Sequence, residues 1–418
     1  MKSVLQKHYK ITETAIFASI TLASLFYTGF LISEKFVFRI VSFVFVALFY
    51  LFTLLFTLER RVLFAEQFRK TGKKVLFLYI LLLFIPLAYS VSPNSKNLLT
   101  LFFHPLAFLA YFMAFVALTV QENTVEALLK FSRVMNFILP FAIIFDLMLF
   151  KAPTFVNDLN YFLLVEILFL EKLSVKRKIY LFVCIAAIVV IEVIYGNRMI
   201  ALRQLAVVGV TISFLIIPFL KARFLRFTVL LVGICILYLL SFHFEQTFQF
   251  IANNIPSAKI DTTDTRSFLY DEFFETFKGA DWIGGRGYMG TYFSPWFYNW
   301  QGDDGDYFQR FSLEVGVLEI LLKGGLLLLV PFYFIFIKAL FKGFVRSEVN
   351  SVQFKFSIFL FVQFMITGVE NSPFFNVNYM LIWISIGIVL YEAVGPKKVR
   401  SKIISESMPL FNRSPIAQ

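Results

Sequence analysis

The sequence predicts an all-α polytopic membrane protein of about twelve transmembrane helices with one large loop outside the membrane, containing an amphipathic helix, and three observations carry that fold class. Of 418 residues, 59% are hydrophobic and only 16% charged, with a mean hydropathy of +0.77, which exceeds the apolar content of soluble domains. The apolar residues gather in runs near 20 residues, the length that crosses a hydrocarbon core as an α-helix. Lys and Arg, finally, concentrate on one side of the topology that those runs define.

In order, the apolar runs lie at 11–32, 36–58, 75–92, 98–120, 134–150 and 157–171, then 179–196, 199–220, 226–243, 315–340, 354–370 and 374–394. The first follows the basic flank MKSVLQKHYK, is long, and has no small-residue cleavage site, so it reads as a retained helix rather than a signal peptide. The sixth is the shortest and carries Glu166. With the N-terminus inside, the cytoplasmic segments hold 27 of the 39 Lys and Arg residues. Both termini are therefore expected in the cytoplasm and the long loop outside. Without the sixth helix, the basic segments KLSVKRK, KARFLR and PKKVRSK would all move outside. The division that follows is helices one to nine over 1–243, the loop over 244–314, helices ten to twelve over 315–394 and a polar tail over 395–418.

Several function classes fall away on composition. The formal charge of +12 is the cytoplasmic bias of a polytopic protein, so no nucleic-acid partner is expected. Cys184 and Cys235 both sit in apolar runs and offer neither a disulfide framework nor a metal cluster. The three histidines, His8, His104 and His243, are scattered, and no metal motif results. No internal repeat and no matched pair of interrupted helices is present, which counts against a transporter.

The chemistry concentrates in Asp261 to Gly316, the longest polar interval. Thr265 to Lys278 reads as an amphipathic helix with Asp264 or Thr265 as N-cap and Gly279 as its stop. A glycine-rich turn, GGRGYMG, follows, then the aromatic stretch SPWFYNW, suited to stacking on sugars, and then Asp303, Asp304 and Asp306. These acids read as a solvated turn, a divalent-cation site or the source of a general base. Arg266 and Arg286 bracket the loop helix; salt bridges to Asp271, Glu272 or Asp281 are the structural alternative to binding an anion. Gly285, Gly287 and Gly290 spell G-x-G-x-x-G, but no strand precedes them and the nucleotide meaning is rejected. Arg198 and Arg203, in YGNRMIALRQL, place cations against the topological bias, and an unpaired guanidinium inside a helical run is costly. Glu192, six residues before Arg198, is a candidate partner for Arg203 across helices. Glu319 and Lys323, four apart, are expected to form an intrahelical ion pair, while Asp146, Glu166 and Glu370 stay unassigned.

An Arg opening a helix, a glycine-rich turn, and a polar residue about nine positions before the Glu314–Gly316 Glu-x-Gly form a pattern similar to one known family. Over Tyr195 to Gly316 the chain resembles the bacterial O-antigen polymerase (Wzy) and O-antigen ligase (WaaL) superfamily in its large periplasmic loop. The ligase branch carries a His followed by an Asn at the places where this chain has Gly305 and Asp306, so the polymerase branch is favoured. The resemblance implies a multi-pass inner-membrane glycosyltransferase making O-antigen or capsule. Its donor would be a glycan on undecaprenyl diphosphate, its acceptor a lipid-linked repeat unit, and a chain-length regulator its candidate protein partner. No cofactor and no metal are implied. Asp306, Arg286 and Arg198 are the expected catalytic residues, and Arg203, Arg266, Tyr288, Tyr307 and Glu314 the substrate-binding ones. The alternatives are a ligase transferring glycan to the lipid A core, a flippase or other transporter, and a structural subunit of an envelope glycan machine.

Overall fold

The structure is a computed structural model, and it describes residues 2–33, 36–59, 71–86, 108–120, 122–195, 198–242, 267–295, 309–310, 313–368 and 377–391. About 86% is helical, and the protein is an all-α membrane protein. The first nine helices are α1 (Lys2–Ser33), α2 (Phe36–Glu59), α3 (Thr71–Leu82), α4 (Phe108–Thr119), α5 (Glu122–Phe145), α6 (Thr154–Ile167), α7 (Val175–Ile194), α8 (Arg198–Ile216) and α9 (Arg223–Phe242). The loop contributes α10 (Ser267–Thr276), α11 (Asp281–Gly284) and the short antiparallel pair β1 (Tyr292–Phe293) and β2 (Gln309–Arg310). The chain closes with α12 (Gly316–Leu340), α13 (Val352–Ile366) and α14 (Val377–Leu390).

Each apolar run read from the sequence overlaps one of these helices. Only Phe36–Leu58, Asn123–Phe150, Met199–Ile216 and Gly316–Arg346, among the described residues, are both long and apolar enough to cross a membrane. The 14-residue α6 and α14 extend about 21 Å at 1.5 Å per residue, short of a hydrocarbon core of about 30 Å. Their setting explains how short helices are accommodated. Every residue of α14 is buried, and it packs against α1, α4, α6, α12 and α13. A helix enclosed by protein has no lipid thickness to match. Trp383 of α14 lies at the centre, with ring centroids 5.3 Å from Tyr79 and 6.0 Å from Phe332. The apolar outer surface is formed by α2, α5, α7, α8 and α9, which expose residues such as Val44, Phe137, Phe141, Val183, Leu202 and Val232.

Two helices are irregular where the chain turns chemical. Helix α5, with Pro140 inside it, runs on as a π-turn over Asp146–Phe150 and ends at Lys151 in the left-handed conformation (φ 50°). Helix α12 is broken at Gly325, whose φ of 58° and ψ of −159° are not helical.

Candidate functional site

One end of the bundle gathers the loop and a set of buried polar side chains that includes Asp146, Asp158, Arg203, Glu319 and Lys323. Connectivity fixes which end: α12 starts there at Gly316, and Val317 N–H, in its first turn, donates to the carbonyl of Thr367 at the far end of α13. The start of α14 joins them, because Asp158 of α6 accepts from the backbone of Val377.

The loop is held onto the membrane helices by a seam of backbone. Helix α10 is amphipathic as expected, with Leu269, Tyr270 and Phe273 buried and Asp271 and Glu275 exposed; just past it Phe277 is buried, Lys278 is exposed and Gly279 turns the chain at a φ of 58°. Gly285 (φ 69°, ψ −164°) then lies directly against the break in α12, facing Gly324 and Gly325. Side chains larger than hydrogen have no room on either surface. Arg286 N–H donates to Leu322 carbonyl at 2.7 Å, satisfying an acceptor that the interrupted helix cannot. Tyr288 is fully buried and donates to Leu83 carbonyl just past α3 at 2.7 Å, which ties the loop to the membrane helices.

Arg286 itself sits in a clasp. Its Nε donates to Asp281 at 2.8 Å, and its terminal nitrogens donate to Thr291 carbonyl at 2.9 Å and Thr276 carbonyl at 2.5 Å. The guanidinium lies 5.6 Å from the centre of the Phe277 ring. Of the five donors of an arginine, three are thus spent on the loop, and two have no partner among the described residues. The salt bridge to Asp281, one of the structural alternatives read from the sequence, is present. Lys323 donates to Gly290 carbonyl at 2.9 Å, and Glu319 accepts from Leu313 N–H at 2.8 Å. These two side chains tie separate pieces of loop backbone to α12 and, one turn apart as the spacing predicts, attract each other as opposite charges. Glu314 is half exposed and stands 3.9 Å from Arg310. Burial pushes the Tyr292 phenol up to about 12 against the opposing pull of Arg310, whose guanidinium is 3.4 Å from its oxygen.

The second group lies among α1, α6 and α8. Arg203 is 2% exposed, donates to the Tyr161 hydroxyl, and stands 5.2 Å from the centre of that ring. Its hydrogen-bond partner is thus on α6, and its Nε has no hydrogen-bond partner among the described residues. Beside it, Gln204 donates to the Asn160 side chain at 2.8 Å. One turn further toward the loop, Asp158 accepts from Thr28 at 3.2 Å and from Ser24. Asp146 accepts from Val156 N–H at 2.8 Å and also from the N–H groups of Thr154 and Phe155, capping the start of α6 where a carboxylate is favoured.

Of the predicted site residues, Arg203, Arg286, Tyr288 and Glu314 are thus placed, Arg203 in the membrane cluster and the other three in the loop or beside it. Arg266, Asp306 and Tyr307, with Asp303 and Asp304, lie outside the described residues, as does the side chain of Arg198. Asp158, Asn160, Tyr161 and Gln204 form the buried cluster with no forewarning from motif reading. The signal available was Asn157, Asp158 and Asn160 crowded into the start of an apolar run, an expensive composition unless the helix faces protein. Glu166, also unassigned from sequence, is structural: Arg177 grips it with Nε at 2.9 Å and a terminal nitrogen at 2.6 Å, and Asn136 donates to it at 2.9 Å.

No protein-family model, curated protein or solved structure matches the chain.

Proposed function

We propose that the chain is a bacterial inner-membrane glycosyltransferase of the polysaccharide-polymerase type, moving a glycan from undecaprenyl diphosphate to a lipid-linked repeat unit at the outer face. The observation that carries this reading is Arg203. A guanidinium buried to 2% in a lipid-facing helix is costly, and retaining one beside Tyr161, Gln204 and Asn160 at the loop end suits a site for an anion entering from the lipid. An arginine fork matches phosphate oxygens and keeps its charge at any pH.

In the proposed reaction the acceptor hydroxyl oxygen attacks the anomeric carbon, its proton passes to Asp306, and the bond from that carbon to the diphosphate breaks. The bonding pair leaves on the diphosphate, where Arg198 and Arg203 stabilise the growing charge. Arg286, with most of its donors committed to the clasp, shapes the loop over the reacting groups and offers its two remaining N–H groups. Arg266, Tyr307 and Glu314 complete the proposed substrate contacts. No cofactor is required, because the lipid diphosphate is itself the activated leaving group.

The test is the surface-polysaccharide ladder of a deletion strain complemented with wild type or with Arg198→Ala, Arg203→Ala, Arg286→Ala or Asp306→Ala, with membrane levels measured in parallel. Variants that accumulate normally and yield single repeats on the core are the expected result. Unchanged chain length would overturn the proposal, and loss of the single-repeat band as well would indicate the ligase.

A further inference from the structure

At the end of the bundle opposite the loop, a cavity of about 550 Å3 lies between α4, α5, the α6–α7 connection, α13 and α14. Most of its wall is apolar, supplied by Val125, Leu129, Phe169, Leu173, Val352 and Ile388. An adjoining cavity of about 340 Å3 shares Arg133, Lys172 and Leu173 with it and adds Ser174 and Arg177. The volume is that of a small-molecule site, and its character is split: a greasy slot with a cationic mouth.

The charges at the mouth are not cancelled from within. Glu126 and Glu166 are its acids; Glu126 pairs with Lys130 at 2.9 Å, and Glu166 is occupied by Arg177 and Asn136. Arg133 and Lys172 are exposed, and neither makes an ion pair among the described residues; Lys172 sits 5.9 Å from the centre of the Phe169 ring. On α5, Phe137 and Phe141 follow Arg133 at four-residue steps, on one helix face, and are 67% and 63% exposed. That strip of lipid-facing surface leads from the bilayer interior to the cationic mouth.

We infer that this cavity seats an anionic glycerophospholipid, with its phosphodiester between Arg133 and Lys172 and the upper part of an acyl chain along the apolar wall. A free anion would leave most of the wall facing water, and a zwitterionic lipid would bring its own cation against Arg133. The site is separate from the proposed transferase chemistry and stands or falls without it.

The test uses the full chain in neutral detergent, offered phosphatidylglycerol or phosphatidylcholine with the same acyl chains, and retained lipid counted by native mass spectrometry. Wild type is expected to retain phosphatidylglycerol selectively. The double variant Arg133→Ala/Lys172→Ala should hold about thirtyfold less, on the order of fivefold per cation. Leu129→Trp and, independently, Leu173→Trp fill the slot without changing charge and should also lose the lipid, while Lys176→Ala, outside the cavity, should retain it. Equal retention of the two lipids would overturn the proposal. So would a loss caused by the charge variant but by neither tryptophan, which would mean surface attraction alone. Displacement by an equal concentration of glycerol 3-phosphate would assign the site to a free phosphate and overturn it as well.

Discussion

Replacing Gly285 with alanine should open the seam between the loop and α12. Its φ of 69° and ψ of −164° fall in a region essentially reserved for glycine, and a side chain there costs about 1–3 kcal/mol. An added Cβ would meet Gly324 N at 2.5 Å, Lys323 C at 2.6 Å and Gly325 N at 2.7 Å. All three are backbone atoms and cannot rotate aside. The seam must part, and the Arg286 to Leu322 hydrogen bond, worth about 1 kcal/mol net, goes with it. The sum is about 3 kcal/mol. Two glycines separate the terms. Gly279 has a φ of 58° with open space around it, so Gly279→Ala isolates the backbone cost of about 1 kcal/mol. Gly209 lies in α8 with nothing nearby, and Gly209→Ala should be neutral or stabilising by up to about 1 kcal/mol. Thermal unfolding of the purified chain should rank the melting temperatures as Gly209→Ala highest, then Gly279→Ala, then Gly285→Ala, and only the last should expose the loop to protease. If Gly285→Ala melts with Gly279→Ala and its loop stays protected, the seam is not the close backbone contact described. Gly325→Ala strikes the same contact from the other side, so the double variant should be little worse than either single one.

Removing Arg177 with Arg177→Gln should destabilise the chain by about 2 kcal/mol, because Glu166 is 1% exposed and would keep only Asn136, whereas Glu166→Gln/Arg177→Gln should recover part of the loss in a double-mutant cycle by thermal unfolding. Arg286→Lys keeps the charge but cannot span Asp281, Thr291 and Thr276 together, so it should restore neither protease protection of the loop nor chain growth in the complemented strain. For Tyr292 the folded phenol, pushed up to about 12, titrates above the unfolded one near 10. The folded form therefore holds its proton longer, and stability should be fully present below about pH 10 and decline as pH rises toward 12. Tyr292→Phe should flatten that limb of a melting-temperature profile; an unchanged limb would place the titration elsewhere.

The predicted loop helix shows how far local pattern reaches. Within the predicted span Thr265 to Lys278, α10 runs from Ser267 to Thr276 and Gly279 follows at a positive φ, because the glycine signal is local; the N-cap candidates Asp264 and Thr265 lie outside the described residues. The partners of Arg286 were legible only as alternatives. Asp281 is five residues away and is legible as an acidic neighbour, but the carbonyls of Thr276 and Thr291 have no sequence signature, since any residue carries one. Tyr161 and Arg203 are separated by 42 residues and meet only because α6 and α8 pack together.

What the sequence determined by itself was the membrane solvent and the positions of the helices. A chain in hydrocarbon must satisfy its own backbone, so apolar runs become helices wherever they occur, whatever their neighbours do. Tertiary structure alone decided which helices face lipid and which are enclosed, and so why the 14-residue α6 and α14 can be short. It also decided that Glu319 and Lys323, neighbours on one helix, turn to separate backbone partners. Burial makes polar groups seek whatever partner the packing delivers, and packing is a property of pairs of helices that no single run of residues contains.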